Sequence, residues 1–506
     1  MTTSDDSSSM SSRRSLRLSK SKFLSGLQCH KRLFLEIYQP YLATPPDAGT
    51  QAILDMGTEV GELARRRFPG GRLVTAGYRQ TEAALAQTAE LMADVTVPAI
   101  YEAAVLSDGV LIRVDILERV RAETGETSGW RLIEVKSSTK VKDVHLDDLA
   151  LQYHVLVSAG LVVVGSHLLH VNTAYTYLGG EIDLRALFAI QDLSAAVLER
   201  QDMVRERLDG MKAMVLIQEP PVIEPDQHCF SPYECPFWAH CTSQKPSRWI
   251  FHLPGAKRMA NQLAGQGVVT IDEIPAGTKL SPAQQRVRAN IEWISPALGT
   301  ALKGVRFPVH HLDFETMMLA VPRFAGTRPY QSLPVQWSNH IEQENGAIRH
   351  HEYLHNDGTD PRMPLAVALL ESLGNSGSIC VYSPYEKSVI EQLAEFLPAL
   401  RTALKALVKR IWDLHPIIKD HYYHPDFGGS YSLKEVLPAL VPSLRYDDLS
   451  IKEGGHAASE YYKMVFVETD WIEQARIHDA LLAYCERDTL AMVELRRVLG
   501  EKAASR

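Results

Sequence analysis

Two stretches of this chain place acidic side chains inside apolar runs, where an unpaired charge is costly. The first is Val110–Lys136, which reads VLIRVDILERV, a polar connector containing Gly125, then WRLIEVK. Asp115 sits mid-run between Val114 and Ile116, while Glu134 and Lys136 are two apart and leave a strand on one face. Two carboxylates can hold Mg²⁺ or Mn²⁺ through oxygen, and a neighbouring lysine can steady an attacking hydroxide or a charged phosphorane. That chemistry is metal-dependent phosphodiester hydrolysis. The plainer alternative is a surface Glu134/Lys136 ladder with Asp115 capping a turn. Gln152, on the helix predicted next, lies where it can reach back toward Glu134.

The second stretch, VHHLDFET, alternates Asp313 and Glu315 onto one face of an apolar strand, with Leu312 and Phe314 on the other. Further along, Glu386 opens the helix that follows a buried strand at Ile379–Ser383, and Asp413 lies in a strand at Arg410–Leu414. The final helix, expected over Ala475–Leu499, carries Tyr484 and Asp488 one turn apart.

Cysteines form the third constellation. Cys229, Cys235 and Cys241 are spaced C-x5-C-x5-C, with Cys29 far upstream. With no secretory signal these read as metal ligands rather than disulfides. A zinc ribbon normally shows C-x2-C pairs, so zinc fits poorly, whereas four thiolates suit a [4Fe-4S] cluster. Zinc and unligated thiols are the alternatives. Cys380 and Cys485 sit in apolar runs and stand apart from the set.

The elements that must position these groups alternate. Short helices are expected from Ser19 to Tyr38, with Cys29 at a junction, and a helix over Gln51–Arg67 ends in the basic triplet Arg65–Arg67. The Asp115/Glu134 hairpin follows, then a helix capped by Asp143, then a strand over Leu161–Val171: a mixed α/β core. Beyond Pro308 a second α/β set begins, with a hairpin around Glu344-Asn345-Gly346. The expected layout is a disordered tail over 1–18, a domain over 19–245, a helical connector over 246–300 and a domain over 301–506. A net charge of −8 gives no global attraction to nucleic acid, so any such binding must use local patches. No apolar run reaches the ~20 residues of a membrane span, and a cytoplasmic location is expected.

Cys29, Asp115, Glu134-x-Lys136, Gln152 and the three closing cysteines resemble the RecB-like PD-(D/E)xK nucleases with a cysteine-clamped iron–sulfur cluster, over roughly 19–245. The layout is similar to that of CRISPR-associated single-strand exonucleases and AddB recombination nucleases. Where that family often has Gly-Thr-x-x-His, this chain reads Gly57-Thr58-Glu59-Val60-Gly61. The later motifs resemble the DnaQ-like 3′–5′ exonucleases of the ribonuclease H fold, in the branch with a tyrosine in its last motif. That resemblance implies Asp313, Glu315, Glu386 and Asp488 as ligands of two metal ions, with Tyr484 orienting the attacking water. The usual Asn-x-x-Phe-Asp is Ser383-Pro384-Tyr385-Glu386 here. As a whole the chain is similar to uncharacterised bacterial proteins that join these two domain types.

The function these features imply is a metal-dependent nuclease with two hydrolytic centres and a structural [4Fe-4S] cluster. Its expected action is exonucleolytic on single-stranded DNA, in repair or defence. No GxxxxGK[ST] loop is present, so strand separation would need a helicase partner or a single-stranded substrate. The alternative is a nucleic-acid-binding module with one or both sites inactive.

Overall fold

The computed structural model describes residues 17–123, 125 and 127–505. It is a mixed α/β protein in two compact units, one of Met1–Pro45, Leu54–Ser243 and Ala320–Pro329, the other of Pro46–Ile53, Gln244–Leu319 and Tyr330–Arg506. The residues of the expected connector, 246–300, fall within the second unit. Of the tail expected over 1–18, residues 1–16 lie outside the described residues. Leu18, by contrast, is buried and paired with Val110, because its apolar side chain joins the core beside an inner strand of the sheet.

The first unit starts with β1 (Leu18–Ser19), α1 (Lys20–Gln28) and α2 (His30–Tyr38), and Cys29 is the residue between the two helices. Next come α3 (Ala48–Arg65), which belongs to this unit from Leu54 on, β2 (Arg72–Leu73), α4 (Thr81–Ala93) and the meander β3 (Ala99–Ser107), β4 (Val110–Arg121) and β5 (Thr127–Lys136). Gly125 turns β4 into β5 at φ +85°, a left-handed conformation that glycine adopts without a Cβ clash. Along β4 the side chains of Val110, Ile112, Val114 and Ile116 are buried at alternate positions, which turns Asp115 to the opposite face.

α5 (Asp143–Ser158) crosses to β6 (Val163–Val171), which runs parallel to β5 with Glu134 opposite Leu168. Asp143 is the first helical residue of α5 rather than its cap, a position Lys142 holds. The unit closes with α6 (Leu184–Leu187), β7 (Phe188–Asp192), α7 (Ser194–Glu199), α8 (Gln201–Met214) and α9 (Trp238–Thr242). The strand order is β2-β3-β4-β5-β6-β7, with β1 on β4. The basic triplet is used locally: Arg65 pairs with Glu102 at 3.0 Å and Arg67 donates to the Phe188 carbonyl at 2.8 Å.

The second unit opens with α10 (Lys257–Gly265), α11 (Pro282–Ala289), β8 (Trp293–Ile294) and α12 (Leu298–Leu302). Its main sheet is built from β9 (Val309–Met318), β10 (Ser332–Glu342) and β11 (Ile348–Leu354), then α13 (Arg362–Leu373) and β12 (Ser378–Val381). There follow α14 (Tyr385–Phe396), α15 (Arg401–Val408), β13 (Ile411–Asp413), α16 (Leu414–His421), β14 (Tyr422–Tyr423), α17 (Leu433–Leu440), α18 (Gly454–Phe466) and α19 (Trp471–Ala504). The order is β11-β10-β9-β12-β13, antiparallel across β10 and parallel from β9 through β12 to β13. Leu312 and Phe314 pack with Trp337, Leu365, Leu369 and Ile379 in one core, which leaves the face carrying Asp313 and Glu315 to α19. Among the described residues no helix is long and apolar enough to cross a membrane.

Candidate functional site

In the first unit the register of β4 and β5 pairs Ile116 with Ile133, so Asp115 and Glu134 are the next positions along. The Val135 amide donates to Asp115 Oδ2 at 2.7 Å, which holds the aspartate against β5. Glu134, 1% exposed, accepts Lys20 Nζ at 2.8 Å and Lys136 Nζ on Oε1, and Gln152 Nε2 at 2.7 Å on Oε2. Asp148, equally buried, accepts Lys136 Nζ at 2.8 Å and Gln152 Nε2 at 3.0 Å.

The charges are strongly coupled. Burial and the Glu134 charge push Asp115 up to about 7. Burial also opposes the charge on Glu134, but Lys136 and Lys20 outweigh it and hold that carboxyl below the ordinary range. Burial likewise opposes the charges of Lys20 and Lys136, and Asp148 and Glu134 outweigh it, so both stay protonated. Two members of this centre escaped the sequence reading. Asp148 had a signal, since it lies four residues before Gln152 and so on the same helical face. Lys20 had none, because only folding carries it to Glu134.

The cysteines meet beyond the other end of α1 from Lys20. Cys29, Cys229, Cys235 and Cys241 line one pocket with Arg32, and none is in a disulfide. The α1 residue Gln28 donates to the carbonyls of His228 at 2.7 Å and Tyr233 at 2.8 Å, which ties the first helix to the closing loop. Within the loop the Cys235 amide donates to the Cys229 carbonyl at 2.7 Å. Burial pushes the Cys235 thiol up to about 11 and raises Cys229, with the neighbouring sulfurs adding to both. Such thiols stay protonated until a metal replaces the proton.

The second unit gathers Asp313 and Glu315 from β9, Glu386 from the first turn of α14, and Tyr484 and Asp488 from α19. Burial and the charges of Asp488, Glu315 and Glu386 push Asp313 far above the carboxylate range. Burial and Asp488 do the same to Glu315. Burial pushes Glu386 up to about 7 and Asp488 up to about 6. Ser383 Oγ donates to Glu386 Oε2 at 3.1 Å, and the Tyr446 hydroxyl donates to Asp488 Oδ1. The Tyr484 hydroxyl hydrogen-bonds the Asp488 carboxylate, and burial with the charges of Asp488, Glu315 and Asp313 raises it. Cys485 Sγ lies 3.8 Å from Asp313 Oδ2, and Asp313, Glu315 and Cys485 present ligand atoms within 4.8 Å of one another.

Tyr446, Lys434 and Cys485 are the members the sequence reading did not assign here. Lys434 Nζ sits 5.9 Å from the ring centroids of both Tyr446 and Tyr484. No spacing rule links these residues, whose meeting depends on α17 and the following loop packing against α19.

A family profile described as Domain of unknown function (DUF2779) matches residues 310–432, a span that contains Asp313, Glu315 and Glu386 and stops before Tyr484. Searches of curated proteins and of solved structures returned no match.

Proposed function

We propose that this chain is a metal-dependent nuclease whose main hydrolytic centre is the one around Asp313. One observation carries the reading: four carboxylates from three separated elements, Glu386 and Asp488 buried and Asp313 and Glu315 half-buried, gather beside Tyr484, each made reluctant to ionise by its surroundings. A buried like-charge cluster of this kind is stable only when protonated or neutralised by a cation. The strand order β11-β10-β9-β12-β13, with β10 antiparallel to β9, supports a ribonuclease H-like, DnaQ-type arrangement. Asp313, Glu315, Glu386 and Asp488 would hold Mg²⁺ or Mn²⁺. When bound, such an ion supplies Lewis acidity and an easily deprotonated water. Tyr484 orients the attacking water through its hydroxyl, Tyr446 fixes one Asp488 oxygen, and Ser383 fixes one oxygen of Glu386.

For the first unit, α3, the meander β3-β4-β5, α5 and β6 support a PD-(D/E)xK reading, with Asp115 and Glu134 as ligands. Lys136 carries the positive charge toward the reacting phosphate, and Gln152 orients Glu134. A second reading of this unit as a nucleic-acid clamp is favoured by the hydrogen bonds from Lys20, Lys136 and Gln152 that already engage both Glu134 oxygens. Cys29, Cys229, Cys235 and Cys241, which line one pocket, would hold a [4Fe-4S] cluster.

Single-stranded DNA labelled at the 5′ or the 3′ end, incubated with Mn²⁺, tests the reading. Wild-type protein should shorten the strand from its 3′ end, and Asp313→Ala should not. Loss of activity in Glu134→Ala as well would assign hydrolysis to both centres. Intact strands with the wild-type protein would leave the clamp reading for the whole chain.

A further inference from the structure

The outer part of the second sheet holds a group of metal-ligating side chains that the nuclease reading does not use. His340 on β10 is the direct cross-strand neighbour of His350 on β11, and their rings stack at 4.4 Å. Glu486 comes from α19, and one ligand atom of each of these residues lies within 4.8 Å of the others. We propose that His340, His350 and Glu486 form a separate site for a borderline divalent transition metal such as Zn²⁺, two imidazoles and one carboxylate with a position left open to solvent.

The hydrogen bonds around the rings carry the assignment. A metal-bound imidazole engages its second nitrogen with a fixed polar partner, which sets the tautomer and aims the first nitrogen at the ion. Both rings here are held that way. His340 Nδ1 meets Thr489 Oγ1 at 2.8 Å, and His350 Nε2 meets Ser338 Oγ at 2.9 Å. Ser338 and Thr489 bond to each other at 2.7 Å, so one buried hydroxyl pair fixes both rings. That leaves His340 Nε2 and His350 Nδ1 as the free nitrogens, and His350 Nδ1 faces Glu486 Oε1 at 3.7 Å. His340 is 5% exposed, so its ring is held in place by its surroundings before an ion arrives. The side chains of His350 and Glu486 are 22% and 48% exposed, which gives an ion a way in. Nitrogen and carboxylate ligands in this ratio suit zinc rather than the oxygen-seeking magnesium. The consequence is mechanical. An ion here fastens α19, the helix of Tyr484 and Asp488, to the β10–β11 hairpin.

Cobalt(II) reports on such a site through its visible d–d absorption, and thiolate ligands add a sulfur-to-metal charge-transfer band that imidazole and carboxylate do not. Full-length protein stripped by chelator and titrated with Co²⁺ in excess Mg²⁺, which keeps the carboxylate centre filled, should develop a d–d band of about one equivalent beyond the cobalt that carries a sulfur charge-transfer band. Asp313→Asn should retain that band, because the carboxylate centre is separate. His350→Ala and Glu486→Gln, both at partly exposed positions, should weaken it at least tenfold and should melt like the wild type without metal. Zn²⁺ should raise the melting temperature of the wild type and leave both variants unmoved. Persistence of the band in either variant, or its loss in Asp313→Asn, overturns the assignment.

Discussion

Around Glu134, the carboxylates of Asp115 and Asp148 share the interior with the ammonium groups of Lys20 and Lys136. Around Asp313, the carboxylates of Glu315, Glu386 and Asp488 crowd together, and Lys434 and Arg487 offset only part of their repulsion. The first centre is therefore neutralised largely from within, and Glu134 stays ionised. The second is not, and its acids cling to their protons. A site that supplies its own cations is assembled before any ligand arrives. One that lacks them stores repulsion that a divalent ion relieves on binding.

That contrast can be broken most sharply at the second centre. Asp313→Ala or Asp488→Ala should lower Mn²⁺-dependent removal of 3′ nucleotides by on the order of 10³-fold, the upper range for losing one group that stabilises transition-state charge. A loss below tenfold in both would mean that these acids do not hold the reacting metal.

At the first centre the largest effect should be on stability. Lys136→Met leaves Glu134 and Asp148 buried with one ammonium fewer, and breaking such a pair costs about 3 kcal/mol. Urea denaturation followed by a signal from the first unit measures it. Loss of stability comparable to that of an exposed lysine would show that the lysines are not what neutralises the centre.

Proton linkage separates the centres next. Carboxyls whose folded pKa is raised bind protons more tightly folded than unfolded, so their stability is greatest at low pH and falls as pH rises through the folded value. For Glu386, raised to about 7, the window runs from the ordinary glutamate range to about 7 and is worth on the order of 3 kcal/mol. Over that window, from about pH 4.5 to about pH 7, metal-free wild-type protein should lose stability relative to Glu386→Gln by an amount on that order. Mn²⁺ should restore most of it, because the ion replaces the lost protons. A flat pH profile, or one that Mn²⁺ does not change, would remove the stored repulsion from the comparison.

The smallest effect belongs to Tyr484→Phe. It should slow cleavage by about tenfold to a hundredfold while leaving Mn²⁺ affinity unchanged, since it removes only the hydroxyl that positions water. A parallel drop in Mn²⁺ affinity would make Tyr484 part of the metal's support instead.

Much of this was legible in the chain because it follows from short-range periodicity. The period-two runs around Asp115 and Asp313 became β4 and β9, and the apolar alternation chose the face their acids occupy. The four-residue step from Tyr484 to Asp488 set both on one side of α19, although that helix runs from Trp471 to Ala504, beyond the apolar stripe that suggested Ala475–Leu499. Polar residues at its ends are kept helical by good helix formers and by the Asp470 cap, which periodicity does not count. The cysteine spacing likewise singled out four residues that line one pocket.

Other features were settled only by tertiary structure. Lys20 and Glu134 are 114 residues apart, and what brings them together is the packing of α1 onto the sheet, which no local pattern encodes. Tyr446 reaches Asp488 from a loop without regular structure, so no period marks it. His340 and His350 become neighbours through the β10–β11 register, but Glu486 joins them only because α19 crosses that face. The sequence determines which side chains share a strand face or a helix turn, because backbone geometry repeats over a few residues. Which charges finally neutralise one another depends on contacts between distant segments, and those form only when the apolar faces are buried together.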